Sequence, residues 1–354
     1  MIPQKTMISI EKIIEDINKI SKSIDRQINL MEVCGTHTQV ISRYGIADIL
    51  PKNIHLSTGP GCPVCVTSQI DIDAIVSLAL AGIPIATYGD VLRVPGAFGS
   101  LDQAREQGAK VFVVHTTEDA LQLKEKHPDV VFFGLGFETT APMTAYAIQN
   151  GLTVYSAHKL FLPAMLALVD MKELNIDGFI DPGHVSAIIG TNPYQVMKLP
   201  QVITGFEAED VIVGIYMLLK QISDGRAEVE NQYVRIVRKE GNPKARKLIK
   251  EVFDVTDGHW RGFDTIAVSG LEIKDKYKEQ NAKIKYKEIL DKVDFSQSKK
   301  PTACKCGEII RGMMRAKECP LFGKVCTPDN PVGPCMVSVE GACNVAYERK
   351  DNIF

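Results

Sequence analysis

The chain has 354 residues, 45% apolar and 24% charged, with a net charge of −2. That length suggests two or three domains, and the balance is that of a globular protein able to bury a real core. The near-neutral charge offers no electrostatic case for nucleic acid or an anionic membrane surface. The longest apolar runs, such as IVSLALAGIPIA (75–86), are too short to span a bilayer.

The first twenty residues alternate charged and apolar side chains in a helical rhythm, without the basic-then-apolar plan of a signal peptide. Nine cysteines with no export signal point to a reducing cytosol, where clustered thiols serve metal or redox work more often than structural disulfides. The expected location is cytoplasmic. Apolar, β-rich runs at 28–34, 53–59, 83–89 and 109–115 read as short buried strands, with helices over 68–82 and 101–108. The rhythm repeats with strands at 129–138, 152–159, 177–183 and 200–207 and helices over 141–151, 161–174 and 208–225. Such alternation predicts parallel sheets covered on both faces, an α/β fold with two Rossmann-like domains. A weak break near Lys124–Asp129 divides them into 1–125 and 126–255. The remainder, 256–354, holds a mixed stretch with the only Trp, a charged helix or linker (274–293), and a C-terminal segment carrying six cysteines. That segment is too poor in large apolar residues to build a good core alone and calls for a staple.

The six are Cys304, Cys306, Cys319, Cys326, Cys335 and Cys343. A zinc knob is the plainer reading, but no C-x2-C knuckle occurs among them and the last histidine is His259. Wide, irregular spacing suits an iron–sulfur cluster at least as well, because four thiolates must reach separate iron corners. The expected third unit is therefore a small iron–sulfur segment. In GPGCPVC (59–65), Cys62 and Cys65 form a C-x-x-C between strand and helix, framed by Gly and Pro, like a thioredoxin-type redox turn. Cys34 ends the first strand in EVCGTHTQVI (32–41), and the helix start behind it is expected to lower its thiol pKa. His37, one turn on, is a base, a second ligand or an N–H donor. GFETT (136–140) brings Glu138 to a strand end, and DPGHVS (181–186) brings His184 to a helix start. Helix capping explains Thr139 and Thr140 but accounts less well for Glu138 and His184. A shared cleft at the strand carboxyl ends is expected to hold Cys34, Cys62, Cys65, Glu138 and His184.

CGTHT, GPGCPVC, GFETT, PGHVS and CPLFGKVCTPDNPVGPCMVSVEGAC (319–343), in this order over nearly the whole chain, closely resemble the HypD family of hydrogenase maturation proteins. The family spacing C-x14-C-x6-C-x16-C falls on Cys304, Cys319, Cys326 and Cys343, which the resemblance implies as ligands of a [4Fe–4S] cluster. Cys306 and Cys335 lie outside it, and Cys306 stands as the alternative to Cys304. The resemblance further implies a scaffold on which an Fe(CN)2(CO) unit is assembled, with a HypC-type chaperone and a HypE-type cyanide donor as partners. Thiolate suits such soft low-spin iron, so Cys34 is the expected anchor, Cys62 and Cys65 a two-electron store, and His37 a holder or proton donor. A stand-alone iron–sulfur-dependent thiol–disulfide oxidoreductase is the rival, and it leaves Cys34 and His37 without a task. No phosphate-binding G-x-x-x-x-G-K-[ST] occurs.

Overall fold

The computed structural model describes residues 9–299 and 303–349. Residues 1–8 of the N-terminal rhythm and Pro301 lie outside that description. The remainder of the rhythm forms the helix Ile10–Ser23, capped by Ser9 and burying Ile13 and Ile17.

The eight apolar runs become β1 (Ile28–Glu32), β2 (Ile54–Thr58), β3 (Ile85–Thr87), β4 (Val111–Val113), β5 (Val131–Gly136), β6 (Thr153–His158), β7 (Gly178–Pro182) and β8 (Gln201–Thr204). A short β9 (Val229–Asn231) joins them. They form two all-parallel sheets, ordered β2-β1-β7-β8-β9 and β4-β3-β5-β6. Every residue of β5, β6, β7 and β8 is buried, as strands covered by helices on both faces require.

The sheets interleave along the chain. The strands β3 to β6 form a complete unit between β2 and β7, so a division at residue 125 falls inside the four-stranded sheet. The cause is β7, which pairs with β1, Leu30 opposite Gly178, across a long sequence separation. Numbered within itself, each sheet begins 2-1-3-4, the doubly wound order. It opens a ligand crevice where the winding reverses, between β1 and β7 in one sheet and between β3 and β5 in the other.

Beyond the second sheet the mixed stretch forms an antiparallel hairpin, β10 (Phe253–Trp260) and β11 (Asp264–Ile273). Trp260 is buried and its indole N–H donates to Ser269 Oγ at 2.8 Å. The hairpin is tied to the four-stranded sheet by Ser156 Oγ donating to the Leu271 carbonyl at 2.9 Å. The charged stretch is broken into one- and two-turn helices (Asp275–Gln280, Ala282–Lys285, Lys287–Leu290), with Asn281 capping the second. In the C-terminal segment the short helices Cys306–Ile310 and Pro334–Val337 pack on the one-turn helix Pro63–Val66, and Ala342–Arg349 packs on the helix Gly35–Arg43. Docking on the α/β body thus supplies part of the core this segment lacks.

Candidate metal and redox centre

Cys34 leaves β1 at the crevice and caps the helix Gly35–Arg43. Its N–H donates to Glu32 Oε2 at 2.9 Å, and Thr38 Oγ1 donates to Glu32 Oε1 at 2.6 Å. The N–H groups of Thr36 and His37 face its thiol, as a helix start should. Burial nevertheless dominates. Desolvation first, then the carboxyls of Glu340 and Glu32, push the Cys34 thiol up to about 12. The lowered thiol pKa expected from the helix start is reversed because two N–H groups do not offset removal from water beside two acids. Glu32, itself wholly buried, is raised to about 7 by the same desolvation.

The C-x-x-C turn packs directly on Cys34. A Cβ at Gly61 would overlap the backbone N and Cα of Cys34, so only glycine permits this approach. Gly59 N–H donates to the Glu32 carbonyl at 2.7 Å, fastening the turn to the end of β1. Cys62 caps the helix Pro63–Val66 and is joined to Cys65 in a disulfide, with Cα atoms 5.3 Å apart. The two are only 6% and 2% exposed. From the C-terminal segment Glu340 reaches the same place, where Thr36 Oγ1 donates to its Oε1 at 2.9 Å. A narrow cavity between the two regions is lined by Thr38, Cys62, Cys65, Cys335 and Glu340.

His37 is buried, and its Nε2 lies 2.9 Å from the Gly205 carbonyl and 2.9 Å from Thr204 Oγ1. A carbonyl only accepts, so Nε2 carries the hydrogen and the buried Nδ1 lone pair is left without a partner. Burial lowers this histidine to about 4, so it is neutral near pH 7 and an acceptor at Nδ1. His184, exposed, does not touch it; both rings stack on Phe206, at 4.8 Å for His37 and 3.8 Å for His184. Asp181, next to them at the end of β7, is wholly buried with neither carboxyl oxygen bonded, and desolvation raises it well above the carboxylate range. Glu138 lies at the end of β5 in the other sheet. Its two oxygens accept from the Phe161 N–H at 3.2 Å each, and burial raises it to about 7. It borders a separate cavity with Leu160, Arg246 and Phe253. The residues expected in one cleft thus fall into a thiol site with Cys34, Cys62 and Cys65, a histidine pair on Phe206, and Glu138, whose charge reaches the buried Tyr194 hydroxyl together with those of Asp181 and Cys34.

All six C-terminal cysteines line one apolar cavity, together with Ile309, Leu321, Phe322 and Met336. Cys306 Sγ lies 2.8 Å from Cys335 Sγ, and its thiol also meets that of Cys304, whose thiol is pushed up chiefly by that contact. A Cβ at Gly333 would come within 2.5 Å of Cys304 Sγ, so the wall there is kept bare. Six thiols around an apolar void include the four that an iron–sulfur cube, with one thiolate at each iron corner, requires. Among the described residues no three His, Cys, Asp or Glu side chains gather closely enough to hold one metal ion.

Sequence reasoning missed Glu32, Glu340, Asp181 and the Cys306–Cys335 pair. Glu32 and Asp181 did carry a signal: each is an acid inside an otherwise apolar strand run.

With this geometry in hand, comparison with known proteins is informative. The family model HypD, hydrogenase formation, matches residues 8–350. A putative hydrogenase expression/formation protein of Methanocaldococcus jannaschii is 42% identical, covering 96% of this chain and 97% of its own. The hydrogenase maturation factor HypD of Rhizobium leguminosarum is 43% identical over 92% of this chain and 89% of its own. That of Escherichia coli K12 is 38% identical over 98% and 96%. The chain belongs to the HypD family of hydrogenase formation proteins.

Proposed function

We propose that the chain is a hydrogenase maturation factor, serving as scaffold and redox component on which an Fe(CN)2(CO) unit is assembled with Cys34 as its anchor. One observation carries this reading: the C-x-x-C turn packs backbone to backbone on Cys34 at the switch point of a parallel sheet. A metal-anchoring thiol and a two-electron store therefore adjoin. Iron arriving at Cys34 displaces the thiol proton, because coordination deprotonates a thiol outright. Until then burial and two acids keep the anchor protonated and inert. Glu340, raised by burial, can take up that proton. His37 Nδ1 offers an acceptor beside the unit, exposed His184 is available to a ligand held by a partner, and Glu138, raised to about 7, carries protons near neutrality.

Cys304, Cys319, Cys326 and Cys343, on which the family spacing falls, would hold a [4Fe–4S] cluster, and Cys306 lies against both Cys304 and Cys335. The cluster, when bound, supplies electrons one at a time. The cysteines themselves perform exchange. The Cys335 sulfur attacks the Cys62–Cys65 disulfide across their common cavity, forming a mixed disulfide. Cys306 then attacks Cys335, releasing the second thiol of the C-x-x-C pair. One disulfide is broken and one formed, and two electrons and two protons pass from Cys306/Cys335 to Cys62/Cys65.

A HypC-type chaperone would supply a further thiolate to the iron and a HypE-type protein the cyanide, in the cytoplasm. Among the described residues no helix is long and apolar enough to cross a membrane. A stand-alone thiol–disulfide oxidoreductase would use the same cysteines, but the 6% and 2% exposure of Cys62 and Cys65 denies an outside protein disulfide the access exchange needs. The test is infrared spectroscopy of the chain purified anaerobically with its chaperone. Cyanide and CO stretches are expected, and their absence from an iron-loaded complex rejects the scaffold reading.

A further inference from the structure

Arg261 stands between the two redox elements. Its N–H donates to the Val66 carbonyl at 2.9 Å, its Nε to the Thr67 carbonyl at 3.1 Å and its Nη1 to Gln69 Oε1 at 2.9 Å. All three partners lie just past the C-x-x-C turn. On its other side, the backbone of Gly262 touches that of Gly307, next to Cys306, so close that neither could carry a side chain without displacement. Arg261, Cys304, Cys306 and Gly333 share a cavity of about 490 Å³. The charge of Arg261 is felt by Cys304, Cys306 and Cys335. Its Nη2 is buried and has no hydrogen-bond partner.

An unmade hydrogen bond from a buried charged group is costly and calls for an acceptor. The nearby cations are otherwise engaged, Lys305 with Glu308 at 2.8 Å and Arg311 with the Gly307 carbonyl at 3.2 Å. The side-chain acceptors lining this cavity are the sulfurs of Cys304 and Cys306, the amides of Gln69 and Gln297 and the unpartnered Ser298 hydroxyl, and of these the two thiols feel the guanidinium charge. We infer that Arg261 is a positioning residue that lends its spare N–H and its charge to the sulfur of the iron–sulfur centre, raising its reduction potential. This rests on reading the six-cysteine cavity as the cluster site. Each electron taken up makes the centre more negative, and hydrogen bonds to its sulfurs and the surrounding charge set its potential. A fixed guanidinium therefore favours the reduced form. Because the same side chain grips the residues after Cys65, the tuning group also fixes the distance between cluster and disulfide.

The experiment is a spectroelectrochemical titration of the full chain purified anaerobically, preceded by iron and sulfide counting. Arg261→Gln is expected to keep its iron while shifting the reduced-to-oxidised ratio about tenfold toward oxidised at a given potential, about 59 mV for one electron. Arg261→Lys, which keeps the charge, should shift less than half as far. Gln69→Glu keeps the arginine but cancels its charge, should shift the ratio about threefold in the same direction, and decides the matter should Arg261→Gln lose its iron. Equal shifts in the Lys and Gln variants would reduce Arg261 to a packing residue and overturn the inference. So would unmoved potentials in both Arg261→Gln and Gln69→Glu. A wild-type chain without iron and sulfide overturns the cluster reading itself, and the inference with it.

Discussion

In the five-stranded sheet the switch-point crevice receives Cys34 from β1 and Asp181 through His184 from β7, while β2 delivers the C-x-x-C turn beside them. In the four-stranded sheet the equivalent crevice receives Tyr88 through Asp90 from β3 and Phe137 through Thr140 from β5, with no thiol among them. Strand order, parallel pairing and burial are alike in the two. The difference lies in backbone approach and in what the acids are bonded to. Gly61 lets one loop lie against another's backbone, whereas Gly89 after β3 has only Val113 Cγ1 near it, at an ordinary 3.4 Å. Glu32 accepts from both a backbone N–H and a hydroxyl, whereas Glu138 accepts from backbone N–H groups, its own and that of Phe161. A shared architecture thus supplies the crevice, and a few contacts decide whether chemistry occupies it.

The sharpest way to break this comparison is at the anchor. Cys34→Ser should abolish retention of cyanide-bearing iron while leaving thermal stability and the cluster iron count unchanged, because a hydroxyl is a far poorer ligand for soft iron. Unchanged cyanide bands in infrared spectra of that variant would remove Cys34 from the mechanism. Next in size is Gly61→Ala, which forces Cβ into the Cys34 backbone and should cost about 3 kcal/mol in denaturant unfolding. Gly89→Ala should stay within about 0.5 kcal/mol, and equal costs would erase the distinction between the crevices.

The acids allow a finer test by pH. Glu138 is raised from 4.5 to about 7, so between those values the folded chain binds more protons than the unfolded one. Its contribution to stability is full below about 4.5 and falls as pH rises to about 7. Glu138→Gln should flatten that fall and add about 2 kcal/mol at pH 8, read from unfolding curves across the range. Glu32→Gln should gain likewise, since its amide oxygen keeps the Cys34 N–H bond while its nitrogen donates to the Thr38 hydroxyl. His37 works in the opposite sense. Lowered from 6.5 to about 4, it contributes above its unfolded value and loses that contribution as pH falls to about 4. Apart from the Gly89→Ala control, the smallest effect belongs to Thr36→Val, which removes the hydroxyl bond to Glu340 and should cost about 1 kcal/mol.

The eight main strands were legible because each is a short continuous apolar run, the signature of a strand buried on both faces. Their allotment to sheets was not, since the pairing of Leu30 with Gly178 is a contact between distant residues that no local pattern encodes. The strand Val229–Asn231 is half-buried throughout and too short to announce itself. The hairpin was hidden by Asp264, at the chain reversal, and by Val268, opposite the bulge at Asp257, whose positive φ angles depart from strand backbone. At the site, Cys34, Cys62 and Cys65 could be read from strand-end position and Gly/Pro framing. The suppression of the Cys34 thiol could not, because it comes from desolvation and from Glu340, more than three hundred residues away in sequence. The contacts of Cys306 with both Cys335 and Cys304 are facts of tertiary packing that the spacing of the cysteines does not encode.

The interleaving of the sheets has a consequence for order of synthesis. A nascent chain that has passed β6 holds every strand of the four-stranded sheet, whereas β1 and β2 still await β7, β8 and β9. Cys34 and the C-x-x-C turn have been made by residue 65, yet the crevice they edge has no far wall until residue 178 arrives. The cysteine-rich segment and Glu340 come later still, and only they close the cavity over Cys62 and Cys65. An unfinished chain therefore carries the thiols without the enclosure that governs them, and Cys34, the C-x-x-C turn and the six-cysteine cavity come into register only once translation has reached the last cysteines.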